Sequence, residues 1–367
     1  MATARAAPAA RAVLPDELLE EVFLRLDDAA DLARAAAACV SFLRVVSGFL
    51  RRLRSLHPPP VLGLLDYRAE KKFYPAEPPH RPAPAARALA QAFDLAFSSL
   101  PVAEPQRWVV RDVRGGRVLL ADRPSAAPFP DLMVVDPLRR RYVGIPPIPD
   151  DLAAACAGDR VKTCCRTFLD PASEEEKDEE HGDSLSFRLI CAVHSYQKLA
   201  IFNFSSATGK WRGIAFDRST PLDPSVSLPF GLFQHHYAHG CFYFTHYDIP
   251  SLFMLDGREM KFSFVDDHRP TRYKCKDLAI VEAGKGRLGM LICGDGVLDL
   301  YSTALPEDAT VTVEWQHDKI IPLPETDCLW KILDAAEGYV LLQAAWFPDG
   351  CETKVQYFTM DLKTLLV

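Results

Sequence analysis

Residues 284–289, GKGRLG, have the GxGxxG spacing that can bind the pyrophosphate of a dinucleotide. Such a site needs a helix directly after the glycines, because the helix N-terminus binds the phosphate. Asp308 also lies about where a ribose-binding acid would be expected. However, residues 290–301, MLICGDGVLDLY, have the aliphatic character of strands. The sequence therefore predicts a hairpin turn at these glycines, and no cofactor.

Three histidines, His235, His236 and His239, form the pattern HHxxH beside Cys241. Metal ligands at this spacing need a helix or a defined loop, whereas the flanking aromatic residues indicate a strand. The ten cysteines are irregularly spaced and include no CxxC pair, so zinc-finger spacing is absent. The GxSxG elbow of α/β-hydrolases is absent too. We predict no metal site and no catalytic residue.

Charge and composition exclude several classes of protein. The chain has 367 residues and a formal net charge of −7, of which residues 173–183 (SEEEKDEEHGD) carry −6, from seven acids and one lysine. The remainder is nearly neutral, so no nucleic-acid partner is predicted. No apolar run approaches the ~20 residues that span a bilayer. Sparse cysteines indicate reduced thiols, and hence the cytoplasm or the nucleus.

The N-terminal part of the chain has helical periodicity. After a disordered tail over 1–11, whose Ala- and Arg-rich composition also resembles a transit peptide, apolar residues recur on one helix face over 16–26. Asp31 can cap a second, alanine-rich helix over 32–39, and a third amphipathic stretch covers 42–56. The sequence HPPP at 57–60 ends this pattern, because proline cannot continue a helix. We predict a small three-helix domain over 12–56.

From residue 57 to 367, short runs of β-branched and aromatic residues alternate with turn signals. Residues 85–100 fit a helix, with a distal end that also fits a strand. A loose repeat recurs: a strand ends in Asp or Asn, a polar turn follows, and the next strand carries an aromatic residue. It occurs at Asp136–Tyr142, Asn203–Trp211 and Asp256–Phe262, begins again at Asp361, and has a wider version from Tyr301 to Trp315.

The spacing of these repeats, and the proline-rich segments that follow several of them, are typical of propeller blades with insertions. Roughly 300 residues at ~50 per blade predict about six blades. The predicted fold is thus α+β multidomain: three helices, then an all-β propeller. An open or two-sheet β domain is the alternative. The acidic run 173–183 is predicted to be a disordered insertion between neighbouring strands.

The N-terminal motif is the most informative feature of the chain. The residues Leu14-Pro15-Asp16-Glu17-Leu18-Leu19, followed by an aliphatic residue, Arg-Leu, Asp-Leu and a cysteine, resemble the F-box. The resemblance covers about 40 residues and departs from the pattern at Phe42, where the F-box usually has tryptophan. The β-rich part also looks like the F-box-associated β domain of grasses and other plants.

The resemblance implies a mechanism without chemistry in this chain. An F-box binds a Skp-type adaptor that joins it to a cullin–RING scaffold, and the C-terminal domain brings a target protein near a charged ubiquitin-conjugating enzyme. The implied partner-binding residues are Leu14, Pro15, Leu18, Val22, Leu26, Leu32, Cys39 and Phe42.

Three rival interpretations remain open on the sequence alone. The apolar helical face could instead pack as a cap on the β domain. The propeller could be an enzyme or a small-molecule sensor, which titratable residues converging on its channel would favour. The chain could also be a scaffold that binds the adaptor without ubiquitylation.

Overall fold

We describe the chain from a computed structural model. It describes residues 14–26, 35, 38–46, 61–66, 72–78, 80, 82–92, 97, 100, 104, 107–122, 129–137, 140–154, 164–170, 187–194, 198–217, 234–245, 251–267, 277–284, 286–294, 296–305, 312–325, 327–336, 338–347 and 354–367. The chain divides into two compact units, Met1–Pro60 and Val61–Val367. The predicted tail 1–11, Leu32 and the acidic run 173–183 lie outside the described residues.

Unit 1 contains the predicted first helix, Asp16–Leu24. Pro15 precedes it and its carbonyl accepts the backbone N–H groups of Leu18 and Leu19, so the proline starts the helix without a donor of its own to satisfy. A second helical segment covers residues 40–46. Most of the predicted middle helix, and the predicted third helix beyond residue 46, fall outside the described residues. The three-helix arrangement therefore stays a prediction.

Unit 2 consists mainly of five antiparallel sheets, each built from strands that follow one another in the chain. Blade 1 contains β3 (Trp108–Arg114), β4 (Arg117–Asp122), β5 (Leu132–Asp136) and β6 (Arg141–Ile145). Blade 2 contains β7 (Cys164–Leu169), β8 (Arg188–His194), β9 (Lys198–Ser205) and β10 (Lys210–Asp217). Blade 3 contains β11 (Gln234–Ala238), β12 (Cys241–Thr245), β13 (Ser251–Asp256) and β14 (Lys261–Asp267).

The last two sheets complete the series. Blade 4 contains β15 (Leu278–Glu282), β16 (Arg287–Gly294), β17 (Val297–Ala304) and β19 (Gln316–Pro322). Its short β18 (Thr312–Val313) pairs in parallel with β14 and so ties blade 4 to blade 3. Blade 5 contains β20 (Leu329–Ala336), β21 (Tyr339–Trp346) and β22 (Lys354–Asp361).

Adjacent blades pack face to face through apolar clusters, because the central strands bury both of their faces. In β8, Leu189, Cys191 and Val193 pack against blade 1, while the alternate residues Ile190 and Ala192 pack against blade 3. Further clusters join blade 3 to blade 4 and blade 4 to blade 5. The first strands lie innermost: β3 contacts β7, β11 contacts β15, and β20 contacts both β15 and β11. This arrangement is a β-propeller.

The described residues between 61 and 107 form a hairpin and a helix, and no further blade. The hairpin pairs β1 (Gly63–Asp66) with β2 (Lys72–Pro75), and the helix covers Ala83–Ala92, which overlaps the first part of the predicted 85–100. Leu65 and Phe97 pack on the face of blade 1 that points away from blade 2. Tyr74 lies 5.3 Å from Tyr357 of blade 5, measured between ring centroids. The segment therefore contacts both the first and the last blade.

The predicted count of about six blades is therefore one too high for the residues described. A uniform size of ~50 residues per blade overestimates the count, because the described residues between 61 and 107 contribute a two-stranded sheet and a helix. The all-β propeller itself is confirmed. No helix among the described residues is long and apolar enough to cross a membrane.

The repeat seen in the sequence is the turn between the third and fourth strands of a blade. Asp136, Asp256 and Asp361 end β5, β13 and β22. The carboxylate of Asp256 accepts the backbone N–H groups of Arg258 and Glu259, at 2.7 and 2.9 Å. Asp361 accepts those of Lys363 and Thr364 in the same way. In these two instances the repeat is an aspartate-capped turn. Asn203 differs, because it lies inside β9, which continues to Ser205.

The GxGxxG residues form the predicted hairpin turn between β15 and β16. Gly284 and Gly286 have φ of 67° and 69°, which favours glycine, and the N–H of Arg287 donates to the carbonyl of Gly284. Gly289 lies inside β16, opposite Val281. A strand follows these glycines where a dinucleotide site would need a helix.

Deleting residues 173–183 is expected to change the melting temperature by less than about 2–3 °C. The flanking strands β7 and β8 are already paired, and the N–H of Asp170 donates to the carbonyl of Arg188 at 3.0 Å, so a shorter link can replace the run. Loop length contributes little to the free energy of unfolding. Differential scanning calorimetry of the deletion variant checks this. A fall of ten degrees or more would show that the acidic run is part of the folded structure.

Candidate functional site

The first helix of unit 1 presents an apolar stripe to solvent. Leu18 and Val22 are spaced four residues apart, which stacks them on one side of the helix, with exposures of 51% and 52%. Leu14, two residues before the helix, is 51% exposed as well, and we call these three residues the apolar stripe. Leu19 and Phe23, on the next stripe around the helix, are buried. The helix is therefore apolar on two adjacent stripes, and only one of them is used inside the described part of unit 1.

The buried stripe forms a small core with the segment 40–46. Leu19 and Phe23 pack against Val45 and Val46, and Phe42 packs on Phe23 edge to face with 5.1 Å between ring centroids. The carboxylate of Asp16 accepts both hydrogen bonds from one nitrogen of Arg44, at 2.7 and 3.0 Å, across the two helices. Both side chains are exposed, so this ion pair contributes modestly to stability.

The predicted partner-binding residues thus divide into three groups. Leu14, Pro15, Leu18, Val22 and Cys39 are exposed and available to a partner. Leu26 and Phe42 are half-buried and pack against the core of unit 1. Leu32 lies outside the described residues.

A second candidate site lies on the innermost strands of the propeller, where charged and titratable side chains converge. We call these residues the inner-strand cluster: Asp112, Arg114, Arg166, His235, His236 and Asp334. The charges of Arg114, Arg166 and Asp334, on three different blades, all act on the imidazole of His235 in a fourth blade. Ring closure alone brings them together, since they are up to 222 residues apart in sequence (334 minus 112).

Asp112 is the best-connected member of the inner-strand cluster. Its carboxylate accepts the N–H of Leu169 of blade 2 at 2.8 Å and the N–H of Val113 at 2.9 Å. The guanidinium of Arg114 lies 3.4 Å away, and both side chains are buried. Asp112 therefore links the innermost strands of blades 1 and 2 and compensates a buried positive charge.

The two adjacent histidines of β11 pack on opposite faces of the strand. His235 stacks on Phe168 of blade 2, with 4.2 Å between ring centroids and 20° between planes. Burial lowers the pKa of His235 to about 4, assisted by the charge of Arg114 and opposed by Asp334. Burial, then the neighbouring His235 and Arg114, lower the pKa of His236 to about 3. Both imidazoles are therefore neutral at pH 7.

The HHxxH pattern does not converge on one point. His239 lies in the turn after β11, where its ring nitrogen lies 3.0 Å from the carbonyl oxygen of Arg287 and its N–H donates to Glu282. Among the residues described, no group of three or more histidine, cysteine or acidic side chains is arranged to hold a metal ion. The strand predicted at these histidines is confirmed.

The inner-strand cluster was not predicted, although the sequence contains a signal for it. Residues 112–120 (DVRGGRVLL) and 334–342 (DAAEGYVLL) share an acid, a glycine four residues later, and the run VLL. Both aspartates follow a β-bulge, and each accepts the N–H of the next residue. His236 stands at the same distance before Gly240. Asp112, His236 and Asp334 thus occupy equivalent positions, four residues before a glycine, whereas Arg166 and His235 follow no such pattern.

Lowering the pH from 7 to 5 is expected to destabilise the propeller. The pKa values of His235 and His236 are lower in the folded chain than in the unfolded chain, so the unfolded state binds more protons between about pH 6.5 and 3. The stability that the two neutral histidines contribute is present above their pKa in the unfolded chain. It is lost as the pH falls below that value toward their pKa in the folded chain. For His236 the loss at pH 5 is about 2 kcal/mol.

Urea unfolding at both pH values checks this expectation. The His236→Phe variant should show a smaller decrease than the wild type, whereas a variant of the exposed His80 should match the wild type. An equal decrease in all three proteins would contradict the burial of His236.

Comparisons with known proteins identify no family for this chain. No family model and no curated protein matches the chain. A DUF4221-family protein from Bacteroides vulgatus is 13% identical, with a TM-score of 0.38 over 69% of this chain and 78% of that one. Regucalcin, a calcium-binding protein from Agrobacterium tumefaciens, is 12% identical, with a TM-score of 0.32 over 66% and 69%. The Cps50 (Swd1) β-propeller domain from Myceliophteria thermophila is 11% identical, with a TM-score of 0.35 over 70% and 71%.

The class of protein is thus set by this chain's own strand order: unit 2 is a β-propeller. A propeller of this kind is suited to be a protein-interaction domain, although the fold alone leaves its function open.

Proposed function

We propose that this chain is the substrate-recognition subunit of a Skp–cullin–F-box type ubiquitin ligase. In this proposal unit 1 binds a Skp-type adaptor, and the propeller binds a target protein. The ubiquitin-conjugating enzyme performs the chemistry, so the chain needs no catalytic residue and contributes by holding the target nearby. Its place of action would be the cytoplasm or the nucleus.

One observation carries the proposal: the apolar stripe of Leu14, Leu18 and Val22 lies exposed in the segment that resembles an F-box. Burying each of these side chains against a partner would contribute about 1.5–3 kcal/mol before the cost of association. A helix that served only the core of unit 1 would need Leu19 and Phe23 alone. The second, exposed stripe supports a surface that a partner covers.

Hydrogen–deuterium exchange of the full chain, with and without a purified Skp-type adaptor, tests the proposal. We expect the adaptor to slow exchange of the backbone amides of residues 16–24 and to leave β16 and β21 unchanged. Protection confined to the propeller would show that the adaptor binds elsewhere, and no protection anywhere would contradict the proposed function.

A second candidate function is a small-molecule sensor, which the inner-strand cluster favours. Arg166 of this cluster is exposed, and its charge acts on the neutral imidazole of His235. Guanidinium groups bind carboxylates and phosphates well. A thermal-shift screen of small carboxylates and phosphates tests this function. Stabilisation of the wild type that is lost in Arg166→Glu, but kept in a variant of the exposed Arg258, would favour the sensor.

A further inference from the structure

Two thiols in blade 2 lie within contact distance. The sulfur atoms of Cys165 in β7 and Cys191 in β8 are 3.2 Å apart. Cys165 pairs with Val193 and Cys191 pairs with Thr167, so the two cysteines are diagonal neighbours across one ladder. A disulfide bond is about 2.05 Å long, and the two sulfurs would therefore have to approach by only about 1.2 Å.

The surroundings of Cys165 favour its thiolate. The hydrogen bond with Cys191 lowers the pKa of Cys165, against the effect of burial, and the charges of Arg111 and Arg166 lower it further. Cys165 is half-buried, so part of its side chain is open to a small solute. Cys191 is fully buried in the cluster between blades 1 and 2, directly behind it.

Two other half-buried cysteines provide a contrast within the same propeller. Burial raises the pKa of Cys241 to about 11, and the charge of Asp256 adds to this effect. Burial likewise raises the pKa of Cys293 to about 12. Since the thiolate is the reactive form, these two cysteines should react slowly at neutral pH.

We propose that Cys165 and Cys191 form an oxidation site at which a hydroperoxide converts the two thiols into a disulfide. The Cys165 thiolate attacks one peroxide oxygen, the O–O bond breaks, and the products are a sulfenic acid on Cys165 and hydroxide. The Cys191 sulfur then attacks the Cys165 sulfur, the S–O bond breaks, and water leaves with the Cys191 proton. The pair loses two electrons, and the peroxide gains them.

Peptide mapping of the full chain after exposure to hydrogen peroxide tests this inference. Free thiols are blocked with N-ethylmaleimide, and the chain is then digested with trypsin without reductant. Trypsin cuts after Lys162 and Arg166 and after Arg188 and Lys198, giving peptides 163–166 and 189–198. Because Cys164 shares the first peptide, the assignment is made in a Cys164→Ser background.

The expected result is a linked peptide about 2 Da lighter than the sum of the two reduced peptides, which dithiothreitol separates again. The pair should react at least about tenfold faster than Cys241 and Cys293 at pH 7.5, since the higher thiolate fraction outweighs the lower intrinsic nucleophilicity. A Cys191→Ser variant should leave a sulfenic acid on Cys165 that dimedone traps. A Cys293→Ser control should form the link as the wild type does.

Equal oxidation rates for Cys165, Cys241 and Cys293 would overturn the inference. So would the absence of the linked peptide from wild-type protein that stays folded in peroxide by circular dichroism. If a variant does not fold, peptide mapping of the peroxide-treated wild-type protein decides alone whether the inference holds. Neither outcome depends on whether unit 1 binds an adaptor.

Discussion

Replacing Leu14 and Pro15 together by alanine is expected to abolish co-purification with a Skp-type adaptor while the propeller stays folded. Leu14 is half exposed at the start of the apolar stripe, and the carbonyl of Pro15 accepts the first N–H groups of the helix. Losing a buried leucine contact removes about 2 kcal/mol or more of binding energy. At 1.4 kcal/mol for each factor of ten, the affinity should fall about 30-fold or more.

The matched control for this variant is Leu329→Ala in the propeller. Leu329 is 65% exposed, slightly more than Leu14, and lies in blade 5. The Leu329→Ala variant should bind the adaptor as the wild type does. Pull-down with tagged adaptor, with circular dichroism to follow the strand content, measures both proteins. Undiminished binding by the Leu14→Ala, Pro15→Ala variant would contradict the assignment of these residues to the adaptor-binding surface.

Replacing Asp112 by alanine is expected to lower the free energy of unfolding of the propeller by about 2–3 kcal/mol. The variant leaves the buried guanidinium of Arg114 without its nearby carboxylate and the N–H of Leu169 without its acceptor. A buried N–H group without an acceptor is costly, and the guanidinium loses one of the groups that interact with it. The connection between the innermost strands of blades 1 and 2 is lost at the same time.

Asp334→Ala is the control, because Asp334 occupies the corresponding position of blade 5. Its carboxylate also accepts the N–H of the next residue, at 2.8 Å, but its side chain is exposed. Replacing Asp334 by alanine should lower the free energy of unfolding by less than about 1 kcal/mol. Urea unfolding followed by tryptophan fluorescence compares the two. Equal losses would mean that only the local turn matters and that the inter-blade contact of Asp112 contributes little.

The propeller could be predicted from the sequence because its repeat is local. An aspartate that caps a turn and an aromatic residue in the next strand lie within ten residues of one another, as in Asp256–Phe262. The central strands are buried on both faces, and this is also visible in the sequence as continuous apolar runs such as residues 118–121. The number of blades was harder to predict, because the described residues between 61 and 107 form a hairpin and a helix and no blade.

The inner-strand cluster depends on contacts that no local pattern encodes. Asp112 and Asp334 are both aspartates that follow a bulge, yet one is buried and bound to Leu169 while the other is exposed. The stacking of His235 on Phe168 joins strands almost seventy residues apart (235 minus 168 is 67). In unit 1, likewise, helical periodicity placed apolar residues on one broad face. It did not separate the buried Leu19 from the exposed Leu18.

The proposal that the chain is an adaptor-bound recognition subunit is tested most directly by assembly from purified components. The full chain is mixed with a Skp-type adaptor and a cullin–RING scaffold and analysed by size-exclusion chromatography with light scattering. The account predicts one complex that contains a single copy of each component, and its loss in the Leu14→Ala, Pro15→Ala variant. Separate elution of the wild-type chain from a preformed adaptor–cullin complex would contradict it.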